Sequence, residues 1–272
     1  MPTPDLDSIL ADLAAEHADL DAVVAPLSAA EWATPTPAEG WTVHDQVGHL
    51  SYFDGEAQRA IIDPEGFAAS LADIASDPDG WMVRSVERGR ATPPRELLAW
   101  WRDQRARLLE VGRPLDPRAR IAWYGPPMSV LSFFSARLME TWIHGQDVVD
   151  ALGVERQPTH RLRHVAHIAV RARGFNYAQR GQALPQGEVR VELRAPDGSL
   201  WAWGAEDAAD RVSGEALDFC LLATQRRHLL DTDLVVEGPL AEEWMGIAQS
   251  YAGPPGPGRQ PGQFPKRSSA PR

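Results

Sequence analysis

Two histidines and one glutamate are the side chains of this sequence best placed to hold a metal ion. In the stretch METWIHGQD, Glu140 and His144 stand four residues apart, so a helix would project both from one face. Upstream, GWTVHDQVGHL offers His49. Two imidazoles and one carboxylate form a three-ligand set that leaves a coordination position open for water or substrate, as a catalytic metal requires. Spacing alone does not separate such a site from a solvated Glu–His pair and a histidine packed between helices. Asp45 reads as an acidic residue at a helix start rather than a ligand. His44, five residues before His49, faces away from it and is expected to be exposed. His17 sits in an apolar stripe and reads as a core histidine. Cys220 is the only cysteine, so no intramolecular disulfide can form, and its setting, DFCLL, reads as core.

These residues need helices to carry them. Leu6, Ile9, Leu10, Leu13, Leu20, Val23, Val24 and Leu27 recur at spacings of three and four and predict a first amphipathic helix. Thr42 is a good N-cap, with Asp45 at the third helical position, and predicts a second helix running to Ile62. The stretch from Asp63 to Asp79 is ambiguous, with Pro64, Gly66 and Pro78 around a short apolar segment. PPRELLAWWRDQRARLLEVG predicts a third long helix and MSVLSFFSARLMETWIHGQDVVDALG a fourth, ending at Gly153. Trp81, Trp100 and Trp101 read as core or pocket wall. Four long helices predict a helix bundle over residues 1–153.

The pattern then changes. A helix is expected over HRLRHVAHIAVRARGFNYAQ, and a β-hairpin over GEVRVELRAPDGSLWAWG with its turn at Pro196-Asp197-Gly198. SGEALDFCLLATQRRHLL is expected to be helical, DLVVEG a strand and LAEEWMGIAQSYA a last helix. The fold class is therefore α+β: a helix bundle followed by a small α+β domain over 158–252. Residues 253–272, rich in Pro and Gly, are expected to be disordered.

The net charge of −11 argues against a nucleic-acid binder, which needs basic side chains to neutralise phosphates. No apolar run approaches the roughly 20 residues of a membrane span. The acidic start, MPTPDLDSIL, lacks the basic region of a signal peptide. A cytoplasmic protein acting on a small molecule is the expectation.

GWTVHDQVGHL resembles the W-x-x-x-D-x-x-x-H-L signature of the DinB-like metal-binding superfamily, falling on Trp41, Asp45, His49 and Leu50. ARLMETWIHGQDV resembles a second signature, of the actinobacterial branch typified by mycothiol-dependent maleylpyruvate isomerase, with Arg137, Glu140, Trp142, His144 and Asp147. The resemblance implies a DinB-like four-helix bundle holding a divalent metal, usually zinc, through His49, Glu140 and His144. It also implies a C-terminal helix ending in an arginine that reaches the active site. SGEALDFCLLATQRRH supplies Gly214, Asp218 and then Arg226 or Arg227, with Phe219 at a usual leucine and Gln225 where the family has glycine. The alternative for Arg226 and Arg227 is a cation pair at a helix C-terminus.

Zinc deprotonates a coordinated thiol, and the thiolate is the nucleophile. The implied activity is thus a mycothiol-dependent transferase or cis-trans isomerase acting on a small, electrophilic, anionic substrate. A metal-dependent hydrolase or lyase, and a non-catalytic metal-binding protein, remain open at this level.

Overall fold

The computed structural model describes residues 5–264. Residues 265–272, the end of the tail expected to be disordered, lie outside the described residues. The chain divides into two compact units, Met1–Arg156 and Gln157–Arg272.

The first unit is helical: α1 Leu6–Val24, α2 Ala29–Trp32, α3 Val43–Ile62, α4 Pro64–Ser76, α5 Pro78–Ala91, α6 Pro94–Gly112 and α7 Val130–Leu152. A two-residue hairpin, β1 Arg120–Ile121 with β2 Met128–Ser129, precedes α7. Helix α3 begins where its sequence predicts. Thr42 Oγ1 accepts the Asp45 N–H, and the Asp45 carboxylate accepts the Thr42 N–H at 2.9 Å, a reciprocal cap that satisfies two otherwise orphaned donors. Helix α7 stops at Gly153, whose φ of +66° is a left-handed cap that glycine adopts without a Cβ penalty.

Contacts α3–α6, α6–α1, α1–α7 and α7–α3 close a ring of four long helices. Its interior includes Leu20, Val47, Leu50, Leu97, Trp101 and Val148. Trp101 is fully buried, Trp100 packs against the same cluster, and Trp81 packs edge-on against Phe53.

The ambiguous stretch proves to be two helices, and a repeated motif explains them. Asp63-Pro64-Glu65-Gly66 and Asp77-Pro78-Asp79-Gly80 each place a proline in the first turn of a helix. In each, the aspartate carboxylate accepts the glycine N–H three residues on, at 3.0 Å. Proline there loses no hydrogen bond, because that N–H has no helical partner in any case. Helix α5 then crosses α3 nearly backbone to backbone: a Cβ added at Gly48 would lie 3.2 Å from Gly89 Cα.

The second unit carries α8 Leu162–Arg171, α9 Arg173–Ala178, β3 Val189–Arg194, β4 Leu200–Trp203, β5 Asp210–Glu215, α10 Ala216–Ala223, β6 Val235–Glu237 and α11 Pro239–Ile247. The expected hairpin is β3–β4, antiparallel from Val191↔Trp203 to Arg194↔Leu200. The single helix expected over 160–179 is broken at Ala172 into α8 and α9.

The helix expected over 213–230 needs correction. Ser213, Gly214 and Glu215 end strand β5, which pairs parallel with β3, and only Ala216–Ala223 is α-helical. Sheet order is β4-β3-β5-β6. Residues 253–264 form neither helix nor strand. They are held to this unit where Gln179 Nε2 donates to Gly253 O at 2.6 Å and the Gly262 N–H donates to Asp231 at 2.9 Å.

Among the described residues no helix is long and apolar enough to cross a membrane.

Candidate metal centre

His49 lies on α3, and Glu140 and His144 lie on α7. Packing of α3 against α7 brings them together, and one ligand atom from each lies within 4.8 Å of the other two. Among the described residues this is the group of three histidine, cysteine or acidic side chains so placed. Three ligands that each approach one ion at roughly 2.0–2.2 Å stand at most about 4.4 Å apart, so at most a small side-chain adjustment lets this donor set take a divalent cation. His144 Nε2 is 3.4 Å from Glu140 Oε2. The side chains of His144 and Glu140 are 11% and 21% exposed, so the group is not sealed from a small molecule.

Aromatic rings fix the two imidazoles. The His49 ring centroid is 4.4 Å from that of His144 and 4.4 Å from Phe53. Trp41 stacks on His144 at 6.0 Å and 18°, and lies 5.3 Å from His49. The tryptophan of the first signature thus touches both histidines.

A buried polar chain reaches His144 from behind. Gln46 Oε1 lies 2.5 Å from His144 Nδ1, and Gln46 Nε2 donates to Thr36 Oγ1 at 2.9 Å. Neither Gln46 nor Thr36 was singled out in the sequence. A signal was present: Gln46 stands three residues before His49 on the same helix.

One helical turn beyond, a charged pair bolts α3 to α7. Arg137 Nε and Nη2 donate to Asp54 Oδ1 at 3.2 and 2.9 Å. Asp54 is fully buried and Arg137 nearly so. His17 Nε2 is 3.7 Å from Asp54 Oδ2. Burial, above all, lowers the His17 pKa to about 4, against the pull of Asp54 and with help from Arg105 and Arg137. His17 is therefore neutral near pH 7 and belongs to the core rather than the metal group.

Asp45 serves the helix start, as its position predicts, and Arg90 Nε donates to its carboxylate at 2.8 Å. His44 corrects an expectation: it is half-buried, with Nε2 2.8 Å from the Thr92 carbonyl oxygen. An open cleft of about 460 Å³, lined by Trp32, Thr42, His44, Asp45 and Arg90 among others, lies at this end of α3 and includes none of the three donors.

Arg226 and Arg227 follow α10 in the second unit. Gln225, at the position where glycine was noted as usual, has φ +59°. A left-handed residue there lets the N–H groups of Arg226 and Arg227 return to the Leu221 carbonyl. A non-glycine residue in that region is strained by about 1 kcal/mol. Here the Gln225 side chain offsets it, accepting from the Tyr251 hydroxyl at 2.6 Å and donating to Ala248 O at 3.4 Å. Arg226 Nη1 donates to Thr224 O and Arg227 Nη1 to Arg226 O, each at 2.7 Å. The Arg227 guanidinium lies 4.2 Å from the Phe264 ring centroid. Asp218 accepts the Asp233 N–H at 2.8 Å, and Phe219 is core. Cys220 is fully buried, and burial pushes its thiol well above the usual range, which leaves it unreactive.

Comparison with known proteins adds to this geometry. The family model of the mycothiol maleylpyruvate isomerase N-terminal domain matches residues 13–149, and a model described as wyosine base formation matches residues 185–237. Uncharacterised proteins from two strains of Mycobacterium tuberculosis are 48% identical over 250 residues, 92% of this chain and 97% of theirs. A crystal structure of the mycothiol-dependent maleylpyruvate isomerase superposes with a TM-score of 0.57 at 16% identity, covering 89% of this chain and 99% of that one. A histidine-to-alanine mutant of that enzyme gives 0.55, also at 16% identity, over 84% and 93%.

Proposed function

Because this chain belongs to the family of the mycothiol maleylpyruvate isomerase N-terminal domain, we propose that it is a metal-dependent enzyme that uses a low-molecular-weight thiol. The convergence of His49, Glu140 and His144 from two helices carries the proposal. Three protein donors and partial exposure suit an ion with a position left for an exogenous ligand, rather than a closed structural site. Zinc, when bound, would acidify a thiol taken at that position and so make it a nucleophile near pH 7.

The chain's own residues then have separate tasks. His49 and His144 hold the ion without adding charge, and Glu140 supplies the single negative ligand. Trp41 and Phe53 limit how far the two imidazoles can turn. Mycothiol is the thiol that the related enzymes' names suggest. No protein thiol competes for the role, because Cys220 is buried and protonated. The reaction is an S-transfer or a cis-trans isomerisation of a small electrophile. Arg226 or Arg227 would hold a carboxylate of that substrate by a charge-assisted contact.

Metal analysis and calorimetry test this reading. His49→Ala should retain a small fraction of the wild-type zinc, and Glu140→Gln should bind zinc more weakly. Mycothiol should bind the zinc-loaded protein and not the stripped one. Arg226→Ala or Arg227→Ala should raise KM or lower kcat for a carboxylate substrate while keeping the metal. Full zinc occupancy in His49→Ala would remove the site. Equal thiol binding with and without metal would replace thiol activation by a hydrolase or lyase reading.

A further inference from the structure

One hydrogen-bond chain behind His144 has a polarity that its far end dictates. A carbonyl oxygen can only accept. The Trp41 carbonyl accepts the Thr36 hydroxyl at 3.0 Å and the Thr36 N–H at 2.7 Å. With its proton so committed, Thr36 Oγ1 has lone pairs left to accept with, and Gln46 Nε2 donates to it at 2.9 Å. The amide can therefore face only one way, with Oε1 towards His144 Nδ1 at 2.5 Å. Two acceptors cannot share that distance, so Nδ1 carries the ring proton. In the neutral ring the lone pair is then on Nε2, the atom 3.4 Å from Glu140 Oε2. Gln46 is fully buried and Thr36 is 9% exposed, so bulk water does not compete along the chain.

We propose that Thr36 and Gln46 are positioning residues that hold His144 in its Nδ1–H form, so that Nε2 stands ready for a divalent cation. The proposal rests on the metal-site reading above. The identity of the outer partner also matters. Carboxylates often take the second N–H of a metal-bound histidine and make the ring a stronger donor. An amide instead adds no charge. Glu140 then remains the only negative group in direct contact with the ion, and a divalent ion keeps a net charge of about +1 there for an anionic ligand. A carboxylate at position 46 would bind the ion more tightly but reduce that charge.

Two measurements on the full-length protein test the relay. The first is the His144 tautomer in metal-free protein, read from imidazole ¹⁵N shifts and assigned with a His144→Gln variant. Wild type should show the Nδ1–H form. The second is zinc affinity by chelator competition. Gln46→Leu should weaken it about 10- to 100-fold, the range for losing such a partner. Thr36→Val, which frees the amide to turn, should weaken it less but measurably, and Gln46→Glu should match or exceed wild type. That rescue separates positioning from packing, because a buried carboxylate is no better a space-filler than leucine. An Nε2–H tautomer in wild type would overturn the proposal, as would zinc affinity within twofold of wild type in both Gln46→Leu and Thr36→Val. If Gln46→Leu does not fold, Thr36→Val decides. If wild type binds no zinc, the metal-site reading falls, while the tautomer still decides the relay.

Discussion

Replacing Arg137 with leucine should destabilise the helical unit in a way that depends on pH. Both ends of the Asp54–Arg137 pair are buried, and two N–H groups converge on one carboxylate oxygen. Removing the cation leaves a buried carboxylate without its main partner, which costs about 3–5 kcal/mol. His17 sits close enough to respond, with Nε2 3.7 Å from the other Asp54 oxygen. In the wild type Arg137 opposes protonation of His17 and Asp54 favours it. Loss of Arg137 therefore raises the His17 pKa. Because the wild-type ring, at about 4, is already neutral at pH 5, each unit by which the raised value exceeds the pH recovers about 1.4 kcal/mol.

Urea unfolding at pH 8 and pH 5 reads both effects. Arg137→Leu should lose about 3–5 kcal/mol at pH 8 and roughly 1–2 kcal/mol less than that at pH 5. The recovery should disappear in Arg137→Leu/His17→Gln. Two results would refute the reasoning: a loss under about 1 kcal/mol at pH 8, or a recovery that survives the removal of His17.

Wild-type stability itself should carry a His17 signature. The folded pKa of about 4 lies below the ordinary 6.5, so the unfolded chain binds more protons between those values and stability rises with pH across the window. The contribution, about 3 kcal/mol, is complete above pH 6.5 and lost as pH falls to 4, and the difference in urea stability between wild type and His17→Gln should show that slope. At Gln225, alanine keeps the left-handed strain and loses both side-chain hydrogen bonds, so Gln225→Ala should cost about 1–2 kcal/mol in thermal or urea unfolding. Gln225→Gly removes the strain along with the bonds and should be nearly neutral; glycine less stable than alanine would contradict the conformational argument.

The four long helices of the first unit and the three side chains that converge on α3 and α7 were legible in the sequence. Thr42 with Asp45, Pro94 and Gly153 mark helix ends through local chemistry, which acts over a few residues and so can be read directly. Spacing of four put Glu140 and His144 on one face. Strand β5 was not legible, for a physical reason. Its buried side chains include Asp210 and Val212 rather than an apolar row, and Asp210 is inside because its carboxylate caps α11 through the N–H groups of Leu240 and Ala241. Such a partner, 30 residues away, leaves no local periodicity.

What surrounds the candidate site depends on contacts between elements far apart in the chain. His49 meets Glu140 and His144 because α3 packs on α7, and two charged residues far apart in the chain, Asp54 and Arg137, pin that packing. Gln46 gained a role because the fold set its amide between Thr36 and His144. A hydrogen-bonded partner is a matter of distance and direction in space, and sequence spacing encodes those only within one helix or one turn.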